Sequence, residues 1–151
     1  MAQKNNSKLF LFWDSSAIVK WYLNEEFSEV VRALFAKASF HYAAEISHAE
    51  VLAAFYRLRR EGRLSEKQMT ECRIRFLSDF EKIPVIGYGP QVRAKALALI
   101  AKSALRGADL VQLACAVTLQ QEGLPIELIT FDMVLQNAAK DFGLTVREFE
   151  C

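Results

Sequence analysis

The chain alternates between short unbroken apolar runs and longer stretches in which apolar residues recur every three or four positions. Leu9 to Trp13 (LFLFW) is a continuous apolar run of strand length, the pattern of a strand covered on both faces. Phe27 to Ala38 and Ile46 to Arg60 carry helical spacing, the second with Ile46, Ala49, Ala53 and Tyr56 along one stripe. Between them FHYA predicts a short strand. Ser65 with Gln68 is a capping box that opens a further helix, striped by Met69, Cys72, Phe76 and Phe80. IPVIGYG predicts a short strand closed by turn residues, and Pro90 suits the first turn of a helix running to about Ala104. ADLVQLACAVTLQQEG is apolar nearly all round and ends at Gly123, which predicts a central buried helix. IELITF then predicts a strand, Met133 to Phe142 a helix stopped by Gly143, and LTVREF a last strand.

Strands separated by helices predict an α/β fold, with a mostly parallel central sheet flanked by helices on both faces. At 151 residues, 52% of them hydrophobic and 25% charged, the expectation is a single domain spanning 1–151, with the polar start MAQKNNSK (1–8) frayed. No apolar run approaches the ~18–20 residues of a membrane span, and LFLFW is too short for a signal-peptide core, so a cytoplasmic protein is expected. Cys72, Cys115 and Cys151 are odd in number, widely spaced and without a C-x-x-C, which predicts free thiols.

The net charge of +1 neither demands nor excludes a nucleic-acid partner. Arg57, Arg59, Arg60, Arg63, Lys67, Arg73 and Arg75 crowd the middle of the chain, interrupted by Glu61, Glu66 and Glu71. Two readings are open: a solvated helix face laced with i,i+4 pairs, or a rim that tracks phosphates.

Four acids carry the candidate chemistry. Parallel sheets bind ligands beyond the carboxyl ends of their strands, and Asp14 closes LFLFW while Asp132 closes ELITF. Glu50 in SHAEV and Asp109 in RGADL lie in the first turns of inferred helices. Singly, each has a second explanation, because a carboxylate near a helix N-terminus gains ~0.3–1 kcal/mol from the helix dipole. Asp109 resists it. Leu105 one turn before, and Gln112, Leu113 and Ala116 after it, put its carboxylate beside a stripe bound for the core. A buried carboxylate without a partner costs several kcal/mol or takes up a proton. Arg106 would supply one cation; a metal ion shared among the acids explains all four together. His41 and His48 lack the spacing of a zinc pair and no cysteine lies beside an acid, so an all-oxygen donor set points to Mg²⁺ or Mn²⁺. His48, two residues before Glu50, reads either as a proton carrier or as a packed imidazole. No glycine-rich nucleotide loop and no D-x-D is present, against a nucleotide cradle or a phospho-receiver site.

In this order, DSSAIVKWYLNEE, SHAEV, LRGADLVQLA and TFDMVLQNAAKDFGL resemble PIN-domain proteins, most closely the VapC-type toxin ribonucleases of toxin–antitoxin pairs, from about Leu9 to Phe149. The resemblance implies a three-layer α/β/α fold and Mg²⁺- or Mn²⁺-dependent hydrolysis of RNA. It implies Asp14, Glu50, Asp109 and Asp132 as catalytic, metal-binding acids and matches Ser16 and Thr130 to its hydroxyl positions, where they either orient the carboxylates or make local cap and turn contacts. It further implies a small antitoxin whose tail enters the acidic groove, and a homodimer, for which Trp21, Tyr22 and Phe27 serve as contacts unless they fill the core. Lys20, Arg106 and parts of the arginine cluster are candidates to steer the RNA backbone. Many relatives carry His where this chain has Gln112, which alters local hydrogen bonding without removing a ligand. The competing reading is a non-catalytic PIN-like module that binds RNA or protein and keeps its acids as a remnant.

Overall fold

The computed structural model describes residues 7–150. Five strands, β1 (Phe10–Trp13), β2 (Phe40–Ala44), β3 (Val85–Ile86), β4 (Ile126–Ile129) and β5 (Thr145–Val146), form one sheet in the order β3-β2-β1-β4-β5. Every strand pair is parallel. The helices are α1 (Ser15–Tyr22), α2 (Ser28–Lys37), α3 (Ser47–Arg60), α4 (Glu66–Phe80), α5 (Pro90–Ile100), α6 (Gly107–Gln121) and α7 (Met133–Asp141).

The continuous apolar run at β1 has a direct cause. Successive side chains of a strand point to opposite faces, and both faces here are covered. Leu11 and Trp13 pack into a core built with α1, α2, α3 and α4, whereas Phe12 packs into a second core with α5, α6 and α7. The result is the expected three-layer α/β/α arrangement, with α6 buried from Gln112 to Leu119. β1 has β2 on one side and β4 on the other. The chain therefore reverses its direction of winding between β1 and β4, and a crevice opens beyond their carboxyl ends.

The structure adds an element that hydrophobic patterning did not separate. α1 starts immediately after β1, with Asp14 as its cap: the carboxylate accepts from the Ser16 amide. Ala17, Ile18, Trp21 and Tyr22 form its buried face, but they follow so closely on LFLFW that the change from strand to helix period is hidden. Several predicted elements are shorter than expected. β3 and β5 are two-residue strands at the sheet edges, each paired on one side only, and α5 ends at Ile100.

Trp21 and Tyr22 are buried core residues. Phe27 is half-buried at the entrance to α2, in the left-handed region at φ 67°, where it stacks on Phe131 and lies 6.0 Å from Phe149. A bulky side chain is rarely held there. Cys72 and Cys115 are free and buried; Cys151 and most of the predicted frayed segment lie outside the described residues. Among the described residues no helix is long and apolar enough to cross a membrane. His48 is exposed and rests near the rings of Phe76 and Phe80.

Trp13 anchors the end of β1. It is fully buried, packs edge-on against Trp21 at 4.8 Å, and its Nε1–H donates to His41 Nδ1 at 3.0 Å. Burial lowers the pKa of His41, which keeps the imidazole neutral and able to accept. Trp13→Phe strands that acceptor, and unfolding in urea should show a loss of ~1–3 kcal/mol at unchanged m-value. An unshifted midpoint would contradict the role given to this contact.

Candidate functional site

Asp14 stands where β1 gives way to α1, and it is 3% exposed. Its amide donates to the Ile129 carbonyl at 3.0 Å, which ties it to the end of β4. The carboxylate is held unevenly. Oδ2 accepts from Ser16 Oγ at 2.6 Å, Thr130 Oγ1 at 2.9 Å and the Ser16 amide at 3.3 Å, whereas Oδ1 has Ser15 Oγ at 3.4 Å. Burial pushes the pKa of Asp14 up, the Ser16 and Thr130 hydroxyls oppose the rise, and the charge of Glu50 adds to it.

The same two hydroxyls organise the loop after β4. Ser16 Oγ accepts from the Phe131 amide at 2.9 Å, and Thr130 Oγ1 accepts from the Asp132 amide at 3.1 Å. Asp132 then caps α7, its Oδ1 accepting from the Leu135 amide at 3.0 Å. Ser16 and Thr130 thus connect Asp14 to the loop that carries Asp132 through partly buried bonds.

Glu50, in α3, reaches the same place from another direction. Its Oε1 accepts from Ser15 Oγ at 2.8 Å and from Gln112 Nε2 at 2.9 Å. Gln112 is fully buried and also donates to Ser47 Oγ at 2.7 Å. Ser15 and Ser47 were not singled out by sequence; each is an ordinary serine until its partner, dozens of residues away, is brought beside it.

Asp109, in the first turn of α6, is held differently: among the described residues no donor reaches its carboxylate. Its pKa is pushed up to about 6, first by burial and then by the charges of Asp132, Asp14 and Glu50, with Arg106 pulling the other way. The four acids line a crevice of about 450 Å³ at the reversal point of the sheet.

The cations are less free than sequence implied. Lys20 lines the crevice, but its ammonium donates to Glu25 Oε1 and the Glu26 carbonyl, both at 2.9 Å, and sits 4.7 Å from the centre of the Phe131 ring. Arg106 is exposed beside α6 and outside the crevice wall. Of the arginine cluster, Arg57 and Arg63 line the crevice, 3.9 Å from Glu61 and 3.7 Å from Glu25 respectively. Arg59 pairs with Glu66, Lys67 lies 4.0 Å from Glu71, and Arg73 donates to the Tyr56 hydroxyl at 2.9 Å. Most of the cluster is thus a solvated face, with two members at the site. A larger cavity, about 600 Å³, is walled by aromatic residues near β2 and α4; its one acid, Asp79, accepts from the Tyr22 hydroxyl. It offers no cluster of carboxylates.

Among the described residues, no three Asp, Glu, His or Cys side chains are gathered closely enough to form a ready coordination shell. The acids share a crevice rather than a point. Their chemistry nonetheless fits a hard divalent ion. The donors are all oxygen, Asp14 and Glu50 each have one oxygen holding two or more hydrogen bonds and the other at most one, Asp132 has one oxygen held by a single amide, and the fourth acid resists ionisation where a cation would favour it.

A PIN domain family model matches residues 11–141. No curated protein matches the sequence closely. Among solved structures, FitAcB from Neisseria gonorrhoeae aligns over 92% of this chain and 97% of its own at 16% identity, with a TM-score of 0.70. A toxin–antitoxin complex from Klebsiella pneumoniae aligns over 93% and 99% at 18% identity and 0.61. VapC20 of Mycobacterium tuberculosis, described as a sarcin–ricin loop cleaving toxin, aligns over 85% and 94% at 16% identity and 0.59. At these identities the likeness is one of fold.

Repulsion at Asp109 has a measurable sign. Its folded-state pKa lies above the ordinary value, so its favourable contribution is full below about pH 4 and is lost as pH rises through about 6. Metal-free Asp109→Asn should therefore melt higher than the parent at pH 7.5, by ~2–4 °C for each kcal/mol relieved. Differential scanning calorimetry should show that advantage shrinking as pH falls below 6. An equal or lower melting temperature at pH 7.5 would mean that the acids do not crowd Asp109.

Proposed function

The chain belongs to the PIN-domain family, and from that premise we propose that it is a Mg²⁺- or Mn²⁺-dependent endoribonuclease, the toxin of a toxin–antitoxin pair. The observation that carries this reading is the meeting of four carboxylates, from β1, α3, α6 and the loop after β4, in one crevice at the winding reversal of the sheet. The description of the M. tuberculosis neighbour as an RNA-loop-cleaving toxin supports RNA as the substrate. The Klebsiella complex supports a small antitoxin as the partner.

Asp14, Glu50 and Asp109 would hold the principal ion, with Asp132 completing the site directly or through water. A divalent ion so bound supplies a water of lowered pKa and charge relief at the phosphoryl and leaving oxygens. The protein's own contribution is positioning. Ser16 and Thr130 fix Asp14 through Oδ2, Ser15 and Gln112 fix Glu50 through Oε1, and the Leu135 amide fixes Asp132. Arg57 and Arg63 on the crevice wall, Lys20 beside them and Arg106 near Asp109 offer cations to the RNA backbone. Water attack that expels the 3′ oxygen leaves 5′-phosphate and 3′-hydroxyl ends.

The reading extends to a cytoplasmic homodimer. Leu97 and Ile100, one turn apart on α5, and Met133 and Val134 at the start of α7 are exposed apolar groups that a second copy would cover. A non-catalytic RNA- or protein-binding module is the second reading, favoured by the lack of a ready coordination shell among the described residues.

The two readings separate on RNA. With Mn²⁺ or Mg²⁺, the purified protein should cut RNA to 5′-phosphate ends, as read by sequencing of the fragments, and chelation should stop it. Asp14→Asn and Asp109→Asn should each lower cleavage by more than ~100-fold, beyond what the loss of an outer hydrogen-bond partner costs. Cleavage that survives chelation or both substitutions would reject the proposal. Protein that neither cuts RNA nor gains melting temperature with Mn²⁺ would be the binding module instead.

A further inference from the structure

Gln112 lies one turn beyond Asp109 on α6, completely buried and outside the crevice wall. Its Nε2 is 2.7 Å from Ser47 Oγ, 2.9 Å from Glu50 Oε1 and 3.4 Å from Ser15 Oγ. Its Oε1 is buried with no donor. An unpaired buried acceptor carries a desolvation penalty that an apolar side chain of similar size would not. What the glutamine provides in return is its amide N–H pair. The opposite amide orientation would set Oε1 against the Glu50 carboxylate, acceptor against acceptor, so Glu50 itself dictates which way the amide faces.

The consequence is felt at Glu50. Oε1 receives two donors, Ser15 and Gln112, which leaves Oε2 as the unbonded oxygen of that carboxylate. Ser15 Oγ also stands 3.4 Å from Asp14 Oδ1, so one small cluster sets the spacing between two acids. Because Ser47 and Glu50 both belong to α3, Gln112 further locks α3 to α6, the helix that carries Asp109.

We propose that Gln112 is a positioning residue: it clamps Glu50 through Oε1, leaves Oε2 alone to serve the crevice, and thereby sets the affinity of the acidic site for a divalent ion. This rests on the metal-site reading above. Gln112 touches neither the RNA nor the ion; it acts through Glu50 and Ser15.

The test compares the parent with Gln112→Leu and Gln112→His. Free Mn²⁺ is titrated by electron paramagnetic resonance without RNA, and RNA cleavage is then followed at saturating Mn²⁺. Gln112→Leu should bind Mn²⁺ about 10–100-fold more weakly, while its metal-free melting temperature changes little, because the loss of the orphan acceptor is offset by the stranded Ser47 hydroxyl. Its KM for RNA at saturating Mn²⁺ should match the parent's, because the residue does not line the crevice. Gln112→His, which retains an N–H donor, should recover most of the Mn²⁺ affinity. The inference is overturned if the parent binds Mn²⁺ and Gln112→Leu binds it as tightly. It is equally overturned if Gln112→His restores the melting temperature but none of the Mn²⁺ affinity, the result of a merely structural role. A parent that binds no Mn²⁺ would instead bring down the metal-site reading itself, and this inference with it.

Discussion

Electrostatic repulsion among carboxylates brought to one end of a parallel sheet is the constraint that organises this molecule. Four acids that would separate freely in an unfolded chain are mounted on elements whose apolar faces leave them little choice. β1 is covered on both faces, so its end is fixed, and with it Asp14. α6 is buried from Gln112 to Leu119, and that stretch anchors the first turn that carries Asp109. The large hydrophobic term of folding thus sustains a local arrangement that is unfavourable by itself.

The site tempers that repulsion with neutral donors rather than cations. Serine, threonine and glutamine side chains and backbone amides bind one oxygen each of Asp14, Glu50 and Asp132. Neutral donors stabilise the ionised form without cancelling its charge, so the crevice keeps its attraction for a divalent cation. The nearby Lys20 is occupied with Glu25 and the Glu26 carbonyl, and Arg63 lies closest to Glu25. A fixed internal cation among the acids would have done the opposite. Asp109 has no such donor and its pKa is pushed up to about 6, while burial also raises that of Asp14 against the pull of its hydroxyl donors.

Much of this was legible in the chain, and the limits have physical causes. The apolar run into Asp14, the four acids in order and the all-round apolar α6 are local patterns, and local patterns survive in one dimension. α1 was hidden because its buried face continues directly from β1 with no polar break. The bonds from Gln112 to Ser47 and Glu50 join residues that are 65 and 62 positions apart, a pairing no spacing rule can reveal. The arginine cluster divided between the two readings the sequence left open, most of it solvated and Arg57 and Arg63 at the crevice. The looseness of the carboxylate cluster was not legible at all, since it depends on side-chain angles rather than on order along the chain.

The most direct measurement is a carboxyl-carbon NMR titration of the metal-free protein, labelled at aspartate and followed from pH 3 to 8. The Asp109 resonance is expected to titrate with a midpoint near pH 6, and Mg²⁺ added at that pH is expected to drive it to its ionised position. A midpoint for Asp109 near the ordinary aspartate value, unmoved by Mg²⁺, would contradict this account.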